Sequence, residues 1–179
     1  TWLKNLIKRR RKIINKMDNP MLDVPKPKIE PYIADYYKPS ELKMLFDIVK
    51  GDIIEVPILF AGTYGLRRSE ILGLKWDSID FTNKRLTIKH TRTKVNEIIE
   101  KDKTKTKTSL RSFPLNDDAV ELFKNLKQKE RQNKKLLKAD YVENDYIFKW
   151  ENGKPYDPDY ITHRFSKDLK KYDFKHIAF

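Results

Sequence analysis

Apolar residues recur at helical spacing over residues 2–17 (Leu3, Leu6, Ile7, Ile13, Ile14, Met17), and Asn19-Pro20 ends the pattern. This predicts an amphipathic helix whose polar face carries Lys8, Arg9, Arg11 and Lys12. Residues 18–39 hold five prolines and no sustained periodicity, which is linker chemistry, since proline fixes φ and removes a hydrogen-bond donor. Pro39 then suits the first position of a second helix, with Leu42, Leu45, Phe46 and Val49 on one face and Gly51 closing it. A further helix is predicted over residues 53–63, halting near Gly65, and a short one over residues 67–74.

The period then changes from 3.6 to 2. Leu86, Ile88 and His90 alternate with Thr87, Lys89 and Thr91, a second β-like run covers residues 97–100, and a third covers residues 110–115. These three runs read as one small antiparallel sheet, with the basic segment 101–107 joining the last two. Helical patterns return at residues 118–137 and 158–172, separated by the Asn152-Gly153 turn. Helices, a small sheet and helices again make an α+β fold that is mostly helical.

Composition narrows the function. The chain has 179 residues, enough for one good-sized core, with 39 Lys and Arg against 26 Asp and Glu, a formal net charge of +13. A polyanion is attracted by such a surplus, and nucleic acid is the commonest such partner. The apolar stretch 56–66 is too short to span a bilayer, so no membrane partner is expected and a cytoplasmic location is. Zero cysteines exclude disulfides and thiolate metal sites, and three scattered histidines, His90, His163 and His176, lack metal-ligand spacing. No cofactor is expected.

Two segments carry candidate chemistry. In residues 63–76, Arg67 and Glu70 lie three apart, so on a helix they share a face and the carboxylate can hold the guanidinium. An arginine so fixed offers parallel N–H donors to two phosphate oxygens, a geometry lysine does not match. Arg68 beside it would face elsewhere, as a DNA backbone contact or exposed. In the second segment, Lys101, Lys103, Lys105 and Lys107 alternate with Asp102, Thr104, Thr106 and Thr108, a phosphate-seeking run.

The frame Gly65-Leu66-Arg67-x-x-Glu70-Ile71-Leu72-x-Leu74-x-Trp76, followed about forty residues on by Lys105-Thr106-x-x-Ser109-x-Arg111-x-x-Pro114-Leu115, resembles the tyrosine recombinase (phage-type integrase) family. The resemblance implies a tyrosine-recombinase-like catalytic domain with a small three-stranded antiparallel sheet. It also implies metal-free phosphoryl transfer, in which a tyrosine attacks a DNA phosphodiester to form a 3′-phosphotyrosyl link. Arg67 would be the active-site arginine, Glu70 its support and Lys105 the general acid; Lys103 and Lys107 remain alternatives for the acid, since a lysine-rich run does not index itself. Arg68, Lys103, Lys107, Arg111, Arg9 and Arg11 would contact DNA.

The same resemblance divides the chain into the last helix of a preceding core-binding domain (residues 1–18), a linker (19–39) and the N-terminal part of the catalytic domain (40–179). Phe148, Asn152-Gly153, Tyr156, Tyr160-Ile161, Phe165 and Leu169 resemble the family's lead-in to a His-x-x-Arg box, which with the tyrosine nucleophile is expected beyond Phe179. Tyr141, Tyr146, Tyr156, Tyr160 and Tyr172 are therefore expected to be core or interface aromatics, and these 179 residues to be inactive alone. Double-stranded DNA is the expected partner, with self-association on DNA in the full-length protein. Two other readings are a non-catalytic DNA-binding regulator on a recombinase-derived fold, and a metal-dependent nuclease built on Glu41-Leu42-Lys43.

Overall fold

A computed structural model describes residues 35–102 and 111–177. The expected helix at 2–17, with Arg9 and Arg11, and the lysines at 103, 105 and 107 lie outside the described residues. One compact unit begins at Tyr36. Its helices are α1 (Pro39–Val49), α2 (Glu55–Tyr64), α3 (Arg68–Leu72), α4 (Asp117–Leu137) and α5 (Pro158–Lys171), and its strands are β1 (Ile79–Asp80), β2 (Arg85–Thr87), β3 (His90–Lys94), β4 (Ile98–Asp102) and β5 (Ser112–Pro114).

The helix boundaries follow local chemistry. Pro39 opens α1, where Glu41 Oε2 accepts the backbone N–H of Lys38 at 2.6 Å. Glu41 is thus a helix cap, which removes the footing of the nuclease reading. Gly65 ends α2 in the left-handed region at φ 61°, its N–H donating to Ala61 O at 3.0 Å, a conformation that glycine adopts without a Cβ penalty. Asn116 and Asp157 cap α4 and α5 through their side-chain oxygens. Apolar faces then meet in one core: Leu45 and Val49 of α1, Ile58 and Phe60 of α2, Ile71 and Leu72 of α3, Phe123 of α4, and Ile161, Phe165 and Leu169 of α5 are all buried. Phe60 and Phe123 rings lie 4.8 Å apart.

The fold is α+β with a small three-stranded antiparallel sheet, as read, but the strands pair differently. The three-stranded sheet has the order β1-β2-β5, with Ile79 opposite Leu86 and Leu86 opposite Phe113. The alternating run 86–91 is not one strand. It breaks after Ile88, and β3 pairs with β4 as a separate hairpin, His90 opposite Asp102 and Lys94 opposite Ile98. The last two predicted runs, β4 and β5, therefore belong to two different sheets rather than to one. Gly73 explains the break: a Cβ there would lie 2.6 Å from Thr91 Cα and 2.7 Å from His90 O. The absent side chain lets β3 run directly over the end of α3, away from the line of β2.

Beside this core, α4 and the loop after it are joined by a half-buried ionic cluster. Glu130 accepts from Trp76 Nε1 at 2.5 Å and from Lys149 Nζ at 2.8 Å, and pairs with Lys134 at 3.1 Å; the Glu130 and Lys149 side chains are only 9% and 5% exposed. Burial pushes the Glu130 carboxyl up, but hydrogen bonds from Lys149, Trp76 and Lys134 outweigh it and hold the group below the usual glutamate range. A depressed folded value means the stabilisation is fully present above the unfolded value of about 4.3 and is lost as pH falls through the lower folded value. Glu130→Gln is expected to lower stability at neutral pH by about 1–3 kcal/mol and to flatten the acid limb of the stability curve. Urea unfolding at pH 7 and between about pH 5 and 3 checks this; parallel acid losses in wild type and variant would refute it.

Candidate nucleic-acid site

Arg67 follows the Gly65 turn and occupies the N-cap of α3, one residue outside the helix. Glu70, in the first turn, is buried to 1% exposure, and its Oε2 accepts the backbone N–H of Arg67 at 3.1 Å. The Arg67 guanidinium stays 76% exposed, with Nη1 3.7 Å from Glu70 Oε1. The expected pairing is thus present as an ion pair, while a backbone hydrogen bond fixes where the arginine leaves the chain.

The sheet brings a second arginine to the same carboxylate. Arg111 Nη2 donates to Glu70 Oε2 at 2.5 Å, and its side chain is 43% exposed. Its backbone carbonyl accepts from Ile88 N at 2.9 Å, extending the β2–β5 ladder by one bond, and its guanidinium lies 5.5 Å from the Phe113 ring centroid. Expected from sequence only as a DNA contact, Arg111 also closes a three-residue network with Glu70 and Arg67. Arg68 is not free either: its Nη1 donates to Thr162 Oγ1 of α5, which itself donates to Pro158 O at 3.0 Å. Arg67, Arg68 and Ser69 border a cleft of about 600 Å³ walled by Leu45, Ile58 and Phe165.

The β3–β4 hairpin is fixed to the start of α5 by residues that sequence reading missed. Lys94 Nζ donates to Asp157 Oδ2 at 2.9 Å and lies 3.2 Å from Asp159 Oδ2, and these hydrogen bonds hold its ammonium above the usual lysine range. Arg92, 5% exposed, donates from Nε to Glu100 at 3.2 Å and from Nη1 to Tyr156 O. Arg164 donates from Nε to Asp52 at 3.0 Å and pairs with Asp168 at 3.5 Å, tying α5 to the segment before α2. Lys94 and Asp157 stand 63 residues apart in sequence and Arg164 and Asp52 stand 112 apart, so no local spacing pointed to either pair.

Tyr141 and Tyr146 are buried, and Tyr156 packs against Trp150 at 4.9 Å. Burial pushes the Tyr141 and Tyr156 hydroxyls up to about 12, which opposes phenolate formation. Tyr160 also stacks edge-on against Trp150, at 5.0 Å, though it keeps 42% exposure, and Tyr172 keeps 51%. His176 Nε2 lies 3.1 Å from Ser166 Oγ, and Tyr37 Oη donates to Lys175 O at 2.7 Å, so residues 174–177 are held against the body of the fold. Among the described residues no helix is long and apolar enough to cross a membrane, and no group of three or more acidic or histidine side chains stands close enough to hold a metal ion.

An exposed arginine thus sits on a buried carboxylate at a cleft beside a small sheet, and the chain belongs to the phage integrase family, whose profile matches residues 38–179. It is 30% identical over 159 residues to a XerC-like tyrosine recombinase of Caldanaerobacter subterraneus subsp. tengcongensis, a match covering 82% of this chain and 40% of the relative. In structure it is similar to the Tn1549 transposon integrase solved with transposon right end DNA (TM-score 0.68, 20% identity, 94% of this chain and 54% of that one). It is also similar to the XerA recombinase (TM-score 0.55, 17% identity, 86% and 48%) and to a lambda integrase tetramer bound to a Holliday junction (TM-score 0.53, 12% identity, 99% and 44%). The chain thus spans about half the length, or less, of each of these proteins.

Proposed function

We propose that residues 40–179 form the N-terminal part of the catalytic domain of a site-specific DNA recombinase of a mobile element. Residues 1–18 would close a preceding core-binding domain and residues 19–39 the linker. The observation that carries this reading is the state of Arg67. Its guanidinium is three-quarters exposed, yet the chain at that point is held by a buried carboxylate and a glycine turn. A surface arginine with no task does not need a buried acid to place it. Such a group can accept the charge that develops on a DNA phosphate as a tyrosine attacks, with Lys105 protonating the departing 5′ oxygen. The bond energy is kept in the covalent link, so strand exchange needs no nucleotide cofactor. A His-x-x-Arg box and the tyrosine would come from outside these 179 residues.

The test is duplex binding as a function of salt. With roughly four to six phosphate contacts, log affinity is expected to fall against log salt with a slope of about −4 to −5. The same complexes run on denaturing gels are expected to show no covalent adduct. A slope near zero would reduce the charge of +13 to a solubility feature. An adduct would place the nucleophile among the nine tyrosines present.

A further inference from the structure

We infer that Arg111 is a positioning residue, which supplies the counter-charge and the short hydrogen bond that fix the buried Glu70 carboxylate and so leave the Arg67 guanidinium available for a phosphate. The inference rests on the reading of Arg67 given above. It starts from a requirement: a carboxylate at 1% exposure loses its water and must be met by donors and a cation inside the protein. Two arginines stand near it, at different ranges. Arg67 Nη1 is 3.7 Å from Oε1, beyond hydrogen-bond length, whereas Arg111 Nη2 is 2.5 Å from Oε2. The shared oxygen Oε2 also takes the Arg67 backbone N–H at 3.1 Å. The carboxylate therefore holds Arg67 chiefly by its main chain, while Arg111 holds the carboxylate.

Arg111 is built for that task. Its backbone carbonyl accepts from Ile88 in the three-stranded sheet, and its side chain lies by the Phe113 ring, so the arm reaching Glu70 starts from a fixed base. The sheet is in this way bolted to α3 through one ion pair spanning 41 residues of sequence. The arrangement leaves one carboxylate between two guanidiniums and a net positive charge at the mouth of the cleft. If Arg111 were removed, the buried Glu70 would lose its short ion pair, with the Arg67 side chain standing 3.7 Å from its other oxygen. Arg67 would then be drawn inward to complete the pair, out of the position from which it meets a phosphate.

A double-substitution cycle in the full-length protein tests this. Arg111→Ala is expected to lower the rate of cleavage at saturating DNA by roughly 10–100-fold, the cost of misplacing a reacting group by about an ångström. Duplex affinity and salt slope should stay near wild type, and Arg111→Lys, which keeps a charge and a donor, should recover part of the rate. In a Glu70→Gln background, where no buried charge needs a partner, adding Arg111→Ala should cost less than about threefold more. Additive losses, or a salt slope lowered by about 0.9 as expected for a lost phosphate contact, would overturn the inference. So would wild-type cleavage by Arg111→Ala. Melting temperatures confirm folding of each variant, and Arg111→Lys carries the test should the alanine variant not fold. The two failures are distinguishable: wild-type cleavage by Arg67→Lys would sink the reading of Arg67, whereas an impaired Arg67→Lys with an additive cycle would sink the role of Arg111 alone.

Discussion

Arg67→Lys in the full-length protein is expected to bind duplex DNA nearly as well as wild type and to cleave it about 10²–10³-fold more slowly. The charge is retained, so long-range attraction and the salt slope should hardly change. What is lost is the planar fork. A guanidinium presents two parallel N–H donors to two oxygens of one phosphate, and as the phosphorus becomes five-coordinate those oxygens carry more charge, so the paired bonds strengthen where they lower the barrier. An ammonium is a point donor on a flexible stem and satisfies one oxygen at a time. The buried Glu70 and the backbone bond from Arg67 N to its Oε2 would still be in place, so the variant should fold with little loss of stability. Single-turnover cleavage and duplex binding, measured on the same preparations, separate the two effects. Equal losses in both would mean that Arg67 is a binding residue; no loss in either would return it to the surface.

Much of this fold is legible from the sequence because its helix boundaries depend on single residues. Pro39 fixes φ at the start of α1, and Gly65 supplies the left-handed stop after α2, and both act without reference to any distant partner. Strand pairing has no such local mark. Alternation over residues 86–91 says that one face is buried but not which neighbour covers it, and the break after Ile88 depends on the clearance at Gly73, seventeen residues before His90. The site divides along the same line. Arg67 and Glu70, three residues apart, are paired by helix geometry and can be read directly. The Arg111–Glu70, Arg68–Thr162 and Arg164–Asp52 contacts span 41, 94 and 112 residues, and no spacing rule reaches that far. Arg111 illustrates the difference: in a basic run next to a sheet it has the composition of a phosphate contact, and only packing reveals the acid it also meets.

The largest effect is expected at Lys105. An alkoxide leaving group with a high pKa needs a proton in the transition state, and removing the acid that supplies it is expected to slow cleavage by on the order of 10²–10⁴-fold in the full-length Lys105→Ala variant. A 5′-bridging phosphorothiolate substrate changes the demand, since a thiolate leaves readily without protonation. On that substrate Lys105→Ala should cleave at close to the wild-type rate. Lys103→Ala and Lys107→Ala should show small losses on both substrates, as plain phosphate contacts do, together with a salt slope shallower by about one. The alternation of lysine and threonine makes the contrast informative, because neighbouring lysines carry the same charge in the same stretch and differ only in which one reaches the leaving oxygen. Rescue that follows Lys103 or Lys107 would move the acid by one alternation along the segment. If no lysine variant is rescued by sulfur, the proton comes from a group outside this segment and the assignment of Lys105 fails.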